Sequence, residues 1–254
     1  MTTADFYDHL ALFYHLIYPD WNASIGRQAA ALDSIIKEFW GESIKTVLDV
    51  ACGIGTQALG LAQAGYVVTG SDLSSAEIEV AKRQTMARGL ELSLSVADMR
   101  EAYTHHQKQF DLVLACDNAV PHLLTDADLL QAFQQFYHCT RPGGGCLISV
   151  RDYEQEDRTG VQIKPYGLRI EGQTRYLPFQ VWEFPPNGKI YDVTMYFIVD
   201  QGGINCETYA MRTQYYAVEI ARLIALMTEA GFRQVQRLDD RLFQPVLLGR
   251  RLEA

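Results

Sequence analysis

Apolar and polar positions change period several times along the chain, and each change predicts an element. Phe6, Leu10, Phe13, Leu16 and Ile17 recur near helical spacing, as do Ala29, Leu32, Ile35, Ile36 and Phe39, which predicts two amphipathic helices around Pro19-Asp20-Trp21. From residue 44 onward short apolar runs alternate with helical stretches. Val47 to Val50, Tyr66 to Thr69, Leu92 to Val96 and Phe110 to Cys116 read as strands; Gln57 to Gln63, Glu77 to Arg88 and Asp126 to Cys139, the last capped by Thr125, read as helices. Arg141-Pro142-Gly143-Gly144-Gly145 reads as a tight turn ahead of a further strand, Cys146 to Val150.

Between Arg151 and Tyr216 the pattern becomes β-rich. Gly167 to Tyr176, Gln180 to Glu183, Lys189 to Asp200 and Ile204 to Thr213 are separated by turns at Pro185-Pro186-Asn187-Gly188 and Gln201-Gly202-Gly203, which predicts an antiparallel meander. Tyr191, Val193, Met195, Phe197 and Val199 form one apolar face of it, suited to packing on the core or on a partner subunit. A helix from Ala217 to Ala230, a stop at Gly231-Phe232 and strands around Val235 and Pro245 to Gly249 resume the earlier pattern. The expected organisation is helices over 1–43, an alternating strand and helix core over 44–152, a β insert over 153–216, and an end over 217–254 that completes the core.

Composition narrows the partners. With 22 basic against 31 acidic residues, a net charge of −9 and no basic cluster interleaved with aromatics, a nucleic acid would meet a repulsive average field, so a small-molecule substrate is expected. The five cysteines lack paired spacing, and neither a signal peptide nor a long apolar run stands out, so the chain reads as cytoplasmic and reduced, with no membrane partner. His105 and His106 lie in a polar stretch without spaced partners and read as solvated rather than as metal ligands; no metal site is expected.

The candidate chemistry sits where strands end. Gly53 and Gly55 follow the strand Val47 to Val50 and let the backbone turn sharply beside a ligand, and Asp72 ends the next strand, where a carboxylate can accept both hydroxyls of a ribose. Asp98 and Asn118 end the third and fourth strands, so Gly53, Asp72, Asp98 and Asn118 are expected to line one crevice. Gly53, Gly55 and Ala58 also satisfy the loose fingerprint of a nicotinamide dehydrogenase. Asp49 separates the two readings: a carboxylate four residues before the first glycine suits a ligand carrying an ammonium and a sulfonium better than a pyrophosphate.

The run Val47-Leu48-Asp49-Val50-Ala51-Cys52-Gly53-Ile54-Gly55, with Asp72, Ala97-Asp98-Met99, Phe110-Asp111-Leu112-Val113 and Arg141-Pro142-Gly143-Gly144, resembles the successive motifs of the class I S-adenosylmethionine methyltransferases over roughly residues 44 to 152. Asn118-Ala119-Val120-Pro121-His122-Leu123 and Arg151-Asp152-Tyr153 are similar to segments of the glycine and glycine-sarcosine N-methyltransferase branch. The resemblance implies an α/β, Rossmann-like, doubly wound and mostly parallel seven-stranded sheet with N-terminal helices and an inserted antiparallel β lid. It implies S-adenosyl-L-methionine as cofactor, with S-adenosyl-L-homocysteine as product. It places Ala51 and Gly53 near the methionine part, Asp72 on the ribose, Asp98 and Met99 at the adenine, and His122 close by. Gly55, Leu73 and Cys116 complete the strand-end candidates, and Tyr14 and Arg27 are candidates for the cofactor carboxylate. Arg151 corresponds to a residue that clamps the substrate carboxylate in that branch, with Asn118 and Tyr153 beside it; the branch's asparagine after the arginine is Asp152 here, a charge that disfavours glycine itself.

Methyl transfer from a sulfonium is an in-line displacement, so alignment rather than a nucleophilic side chain is needed. An amine must lose a proton first, which makes His122 and the tyrosines Tyr7, Tyr14 and Tyr18 candidates to accept it or orient the nitrogen, His122 and Tyr18 foremost. The expected reaction is N-methylation of a small amino acid or amine of the glycine or sarcosine kind. Carbon or oxygen methylation of another metabolite and a catalytically silent cofactor-binding protein are the alternatives, and a homo-oligomer is compatible with the apolar insert.

Overall fold

The computed structural model describes residues 2–186 and 188–253, so Asn187 of the expected Pro185 to Gly188 turn lies outside the described residues. The elements run α1 (Thr3–Leu10), α2 (Trp21–Trp40), β1 (Thr46–Asp49), α3 (Thr56–Gln63), β2 (Val67–Asp72), α4 (Ser75–Ala87), β3 (Ser93–Val96), α5 (Ala102–His106), β4 (Phe110–Ala115), α6 (Asp126–Cys139) and β5 (Thr140–Ser149). Then follow β6 (Val161–Pro165), β7 (Arg169–Glu171), β8 (Thr174–Glu183), β9 (Ile190–Asp200), β10 (Glu207–Tyr216), α7 (Ile220–Glu229), β11 (Arg233–Leu238) and β12 (Val246–Arg250). Two sheets result: a seven-stranded one in the order β11-β12-β5-β4-β1-β2-β3, and a smaller one in the order β10-β9-β8-β6 with β7 paired to β8.

In the large sheet β1 to β5 run parallel, β12 runs against them beside β5, and β11, antiparallel to β12, runs in their direction at the edge. β1 pairs with β2 on one side and β4 on the other, so strand order reverses there and a crevice opens beyond the strands' carboxyl ends. β1 and β4 are apolar along their length because both faces are covered. Leu32, Ile35 and Ile36 of α2 pack with Val47, Leu112 and Leu114 on one face; Phe133 and Phe136 of α6 and Leu223 of α7 pack with Leu48 and Val113 on the other. Helix starts follow local chemistry: Thr125 Oγ1 accepts the Asp128 N–H at 3.1 Å and Ser74 Oγ accepts the Glu77 N–H at 3.1 Å. No described helix is long and apolar enough to cross a membrane.

Three departures from the expected elements have physical causes. The glycine triplet is no turn: it lies inside β5, where the pairing with β4 shifts register, and a Cβ on Gly145 would sit 2.2 Å from the Trp40 ring, so the missing side chain makes room for an indole. His106 is not solvated; it ends α5, shares a 3.1 Å hydrogen bond with Ser71 Oγ, and burial holds its pKa down at about 4. β6 has no counterpart among the expected strands, because it is an edge strand whose Val161 and Ile163 remain exposed.

The small sheet lies over the N-terminal helices. The predicted apolar face of β9 is buried, with Met195 and Phe197 against Phe6, Leu10 and Leu16, and Tyr191 and Val193 against Tyr153, Trp182 and Tyr215. α1 is latched from its other side: Asp8 Oδ1 accepts from Ser74 Oγ at 2.6 Å and from the Ala76 N–H at 3.0 Å, at the start of α4. These contacts hold the first helix across the mouth of the crevice.

Candidate active site

The crevice encloses about 310 Å3 at the carboxyl ends of β1, β2, β3 and β4, with α1 and the turn at Tyr14–Ile17 above it. Its floor is the loop after β1. Gly53 there has φ of 52°, which glycine adopts freely, and its N–H donates to Asp72 Oδ2 at 2.9 Å; the Ser74 N–H donates to Asp72 Oδ1 at 2.9 Å. A side chain at Gly53 would also meet Glu77 Oε2 and the Tyr14 ring, at 3.1 and 3.4 Å. The sequence thus places a bare backbone and a carboxylate side by side at the switch point.

Asp117, one residue past Cys116, faces the crevice from the end of β4. Its carboxylate accepts from the Tyr18 hydroxyl and from Gln57 Nε2, each at 2.9 Å, and its N–H donates to Ser149 Oγ at 2.8 Å. Asp117 and Asn118 have φ of 56° and 63°, two left-handed residues in succession, and such strain gathers at functional sites. The double turn points Asn118 the other way, into the protein. Its Nδ2 donates to the Tyr153 hydroxyl at 2.9 Å and its Oδ1 accepts the Arg151 N–H at 2.9 Å.

The electrostatics are one-sided. Asp49, Asp72 and Glu77 are buried and Asp117 is half-buried beside them, and desolvation pushes each carboxyl up, Asp49 to about 7 and Glu77 well above the usual range. Asp49 Oδ2 and Glu77 Oε1 have no hydrogen-bond partner among the described residues. The one Lys or Arg among the described lining residues is Arg100, and it is engaged: its guanidinium pairs with Asp98 at 2.6 Å and Asp128 at 2.9 Å. Burial raises the Asp98 carboxyl, but the Arg100 hydrogen bonds outweigh it and hold the group low. A ligand carrying an ammonium and a sulfonium supplies the positive charge that these unpaired carboxylate oxygens lack, so the residues present fit such a cofactor.

On the side facing the small sheet, His122 Nε2 shares a 2.7 Å hydrogen bond with the Tyr7 hydroxyl, and Nδ1 lies 3.4 Å from Thr213 Oγ1. Burial depresses the imidazole to about 3, so the ring is neutral. The Tyr215 ring packs on it at 4.0 Å, and Tyr215 stands 3.5 Å from Tyr7, hydroxyl to hydroxyl.

The structure brings Tyr14, Tyr18, Ala51, Gly53, Asp72, Leu73, Asp98, Met99, Cys116 and His122 to this one crevice. Others lie elsewhere. Gly55, with φ of 98°, caps the start of α3 behind the floor; Arg27 is exposed on α2 and donates to Ser24 Oγ at 2.7 Å, too far round the helix to line the cavity. Asn118 and Tyr153 are buried in each other's company, and Arg151 lines a neighbouring cavity. Asp152 is neutralised by Arg237 at 2.8 Å, so its charge does not oppose a carboxylate as the sequence suggested. Sequence reasoning passed over Asp117, Glu77, Gln57 and Thr3 as lining residues. The Asp117-Asn118 pair carried a signal, because both residue types tolerate left-handed backbone.

The chain is similar to known proteins in sequence and in fold. Residues 47–144 match the model of a family described as a methyltransferase domain. The glycine/sarcosine N-methyltransferase of Parasynechococcus marenigrum (strain WH8102) is 29% identical over 87% of this chain and 73% of that protein. The putative methyltransferase YqeM of Bacillus subtilis (strain 168) is 35% identical over a shorter stretch, 41% of each chain, so the alignment with that relative spans well under half of its length. Among solved structures, SAM-bound CalS10, an amino pentose methyltransferase from Micromonospora echinaspora, superposes with a TM-score of 0.77 at 18% identity, over 90% of this chain and 92% of that one. Fold, crevice and sequence together define a Rossmann-like enzyme domain that uses S-adenosylmethionine. The chain is similar to methyltransferases in the motif-bearing stretch of residues 47–144 and, at 29% identity, over most of its length.

Proposed function

We propose that the protein methylates the nitrogen of a small amine. The observation that carries this reading is Asp117, a half-buried carboxylate held at the crevice by Tyr18 and Gln57, with no Lys or Arg but the already paired Arg100 among the described lining residues. An alkylammonium is the acceptor form that would neutralise it. The names of the compared proteins support an amine: one acts on glycine and sarcosine, another on an amino pentose.

In this reading the backbone of Ala51 and Gly53 meets the methionine part of the cofactor, Asp72 the ribose, and Asp98 and Met99 the adenine, while Tyr14, Leu73 and Cys116 form the walls. The cofactor supplies a methyl group already activated on sulfur. What the chain adds is alignment, which contributes about 7 to 11 kcal/mol when reacting atoms are held in line. Asp117 binds the acceptor's ammonium and takes its proton, and burial narrows the gap between the two groups by raising the carboxyl. Tyr18 orients Asp117 through its 2.9 Å hydrogen bond. His122 is a positioning residue: with Nε2 joined to Tyr7 and Nδ1 facing Thr213, it holds the Tyr7 hydroxyl over the crevice.

The test is release of S-adenosylhomocysteine by the purified protein with glycine, sarcosine, dimethylglycine, small amines, amino sugars and non-amine metabolites, with mass analysis of the products. Turnover of amines that falls with Asp117→Asn is the expected result; turnover confined to hydroxyl or carbon acceptors overturns the proposal.

A further inference from the structure

The face of the small sheet that sequence periodicity offers to a partner, through Met195 and Phe197, is taken by the chain's own N-terminal helices. The opposite face carries the alternate residues of the same strands, and it too is apolar. Val161 and Ile163 of β6, Ile170 of β7 and Leu177 of β8 stand on it, between 42% exposed at Leu177 and 67% at Val161. Strand register joins them into one patch: Ile163 lies opposite Val181, Leu177 opposite Ile198, and Phe179 opposite Tyr196. At its centre the Phe179 and Tyr196 rings stack at 5.0 Å, half-buried, with their planes 12° apart. A continuous apolar surface of this kind is uncommon on a monomer and marks a docking face.

The order of residues on this face indicates its occupant. Outward positions of β8 read Arg175, Leu177, Phe179, Val181 and Glu183, with a cation and an anion equally far from the central ring. Those of β9 read Asp192, Thr194, Tyr196, Ile198 and Asp200, again symmetric in size about the aromatic. A two-fold axis lying in the sheet plane, across the strands and over the stacked rings, turns a second copy end for end. Each aromatic then meets itself, Leu177 of each copy meets Val181 of the other, and Arg175 meets Glu183. The same operation brings Asp192 toward Asp200, but Asp200 is paired with Arg175 at 3.6 Å and Asp192 accepts from Gln214 Nε2 at 2.9 Å within the same chain.

Area agrees. Four neighbouring strands about 4.8 Å apart, the longer ones of 10 or 11 residues rising about 3.3 Å each, present a footprint on the order of 600 Å2. That is the scale of the roughly 800 Å2 that each partner gives to a stable interface, and face-to-face sheets are a common way to fill it.

We propose that the protein forms a two-fold dimer by packing the outer faces of its small sheets, with Phe179 and Tyr196 at the centre and Arg175 of each copy against Glu183 of the other. Both crevices lie beyond the opposite, buried face, where α1 packs, so the dimer covers neither. The proposal is independent of the amine reading and concerns a different surface.

Sedimentation of the full chain over a wide concentration range tests it. A dimer is expected, and Leu177→Glu, at a position that already meets water, is expected to raise its dissociation constant about 100-fold with an unchanged circular dichroism spectrum. Arg175→Glu alone and Glu183→Arg alone are each expected to weaken self-association at least tenfold, because the two-fold then opposes like charges at both ends. Mixing these two variants is expected to restore a dimer of one copy of each, since both cross-axis pairs are again opposite in sign. A chain that stays monomeric at every concentration overturns the proposal. So does a dimer that survives Leu177→Glu, which would place the contact elsewhere, or a mixture of the two charge variants that associates no better than either alone.

Discussion

Two cavities of this protein differ in electrostatics: the crevice is acidic, whereas the described lining of the cavity under the small sheet balances two cations with two carboxylates. The crevice at the switch point is lined by Asp72, Glu77 and Asp117 and leaves Arg100 already paired; the cavity under the small sheet is lined by Arg151 and Lys164 around Trp182 together with Asp152 and Glu156. The first is built from loops that follow parallel strands, and its charge is rigid because backbone N–H groups hold Asp72 on both oxygens. The second is built from a connecting loop and an edge strand, and its two cations share the Glu156 carboxylate. The contrast teaches that loops after parallel strands concentrate unpaired acid at the switch point, whereas the cavity beside the edge strand keeps its charges in pairs.

The contrast breaks most severely at Asp72. Asp72→Ala removes the carboxylate proposed to accept the two ribose hydroxyls, and at about 1.5 to 3 kcal/mol for each such charge-assisted hydrogen bond the expected loss of cofactor affinity is on the order of 1,000-fold, measured by calorimetry. Asp72→Asn should fall between the two, and near-normal affinity in the alanine variant would detach this residue from the cofactor. Next in size, Asp117→Asn should lower kcat/KM for amines about 100-fold, the scale of a lost proton acceptor, while cofactor affinity stays within about threefold. A matching loss of cofactor affinity would move Asp117 to the cofactor's end of the crevice.

A smaller effect follows from Asp49, whose carboxyl is pushed up to about 7 by burial, with Asp72 and Asp117 adding to the rise. A raised folded value stabilises the protein at low pH, below the unfolded carboxylate value of 3.8, and that contribution is lost as pH rises through about 7. A cationic ligand favours the ionised carboxylates and so expels protons. Cofactor affinity should therefore rise between about pH 6 and 8, by at most about tenfold per unit, and Asp49→Asn should flatten the slope. Affinity that falls with pH over that range would contradict the acidic floor as the source of binding. The smallest expected effect belongs to Arg27→Ala: exposed on α2 and bonded to Ser24, it should change cofactor affinity less than about twofold, and a larger loss would mean that α2 turns toward the cofactor on binding.

The cofactor end was largely legible because it depends on local rules. An apolar strand, a glycine loop and an acid at the next strand's end recur at short range, and periodicity located each of them. Asp117 was missed by one residue, since nothing in a linear pattern says that two successive left-handed residues will turn Asn118 inward and its neighbour toward the crevice. The glycine triplet misled for a related reason: glycine marks a turn locally, but in β5 it marks the space that Trp40 fills from more than 100 residues away. Arg27 failed because helical spacing fixes a face only once the helix has been docked.

The sequence by itself determined the alternation of strands and helices, the ligand-facing ends of β1, β2 and β3, and the excess of acid, because each follows from backbone propensity, side-chain period or composition over a few residues. Only the tertiary structure decided which groups share a cavity. That Arg151 and Lys164 stack on Trp182, that Glu156 bridges them, and that Tyr7 reaches His122 are contacts between segments of different sheets and helices, set by how the apolar faces of α1 and β9 pack rather than by any neighbour along the chain.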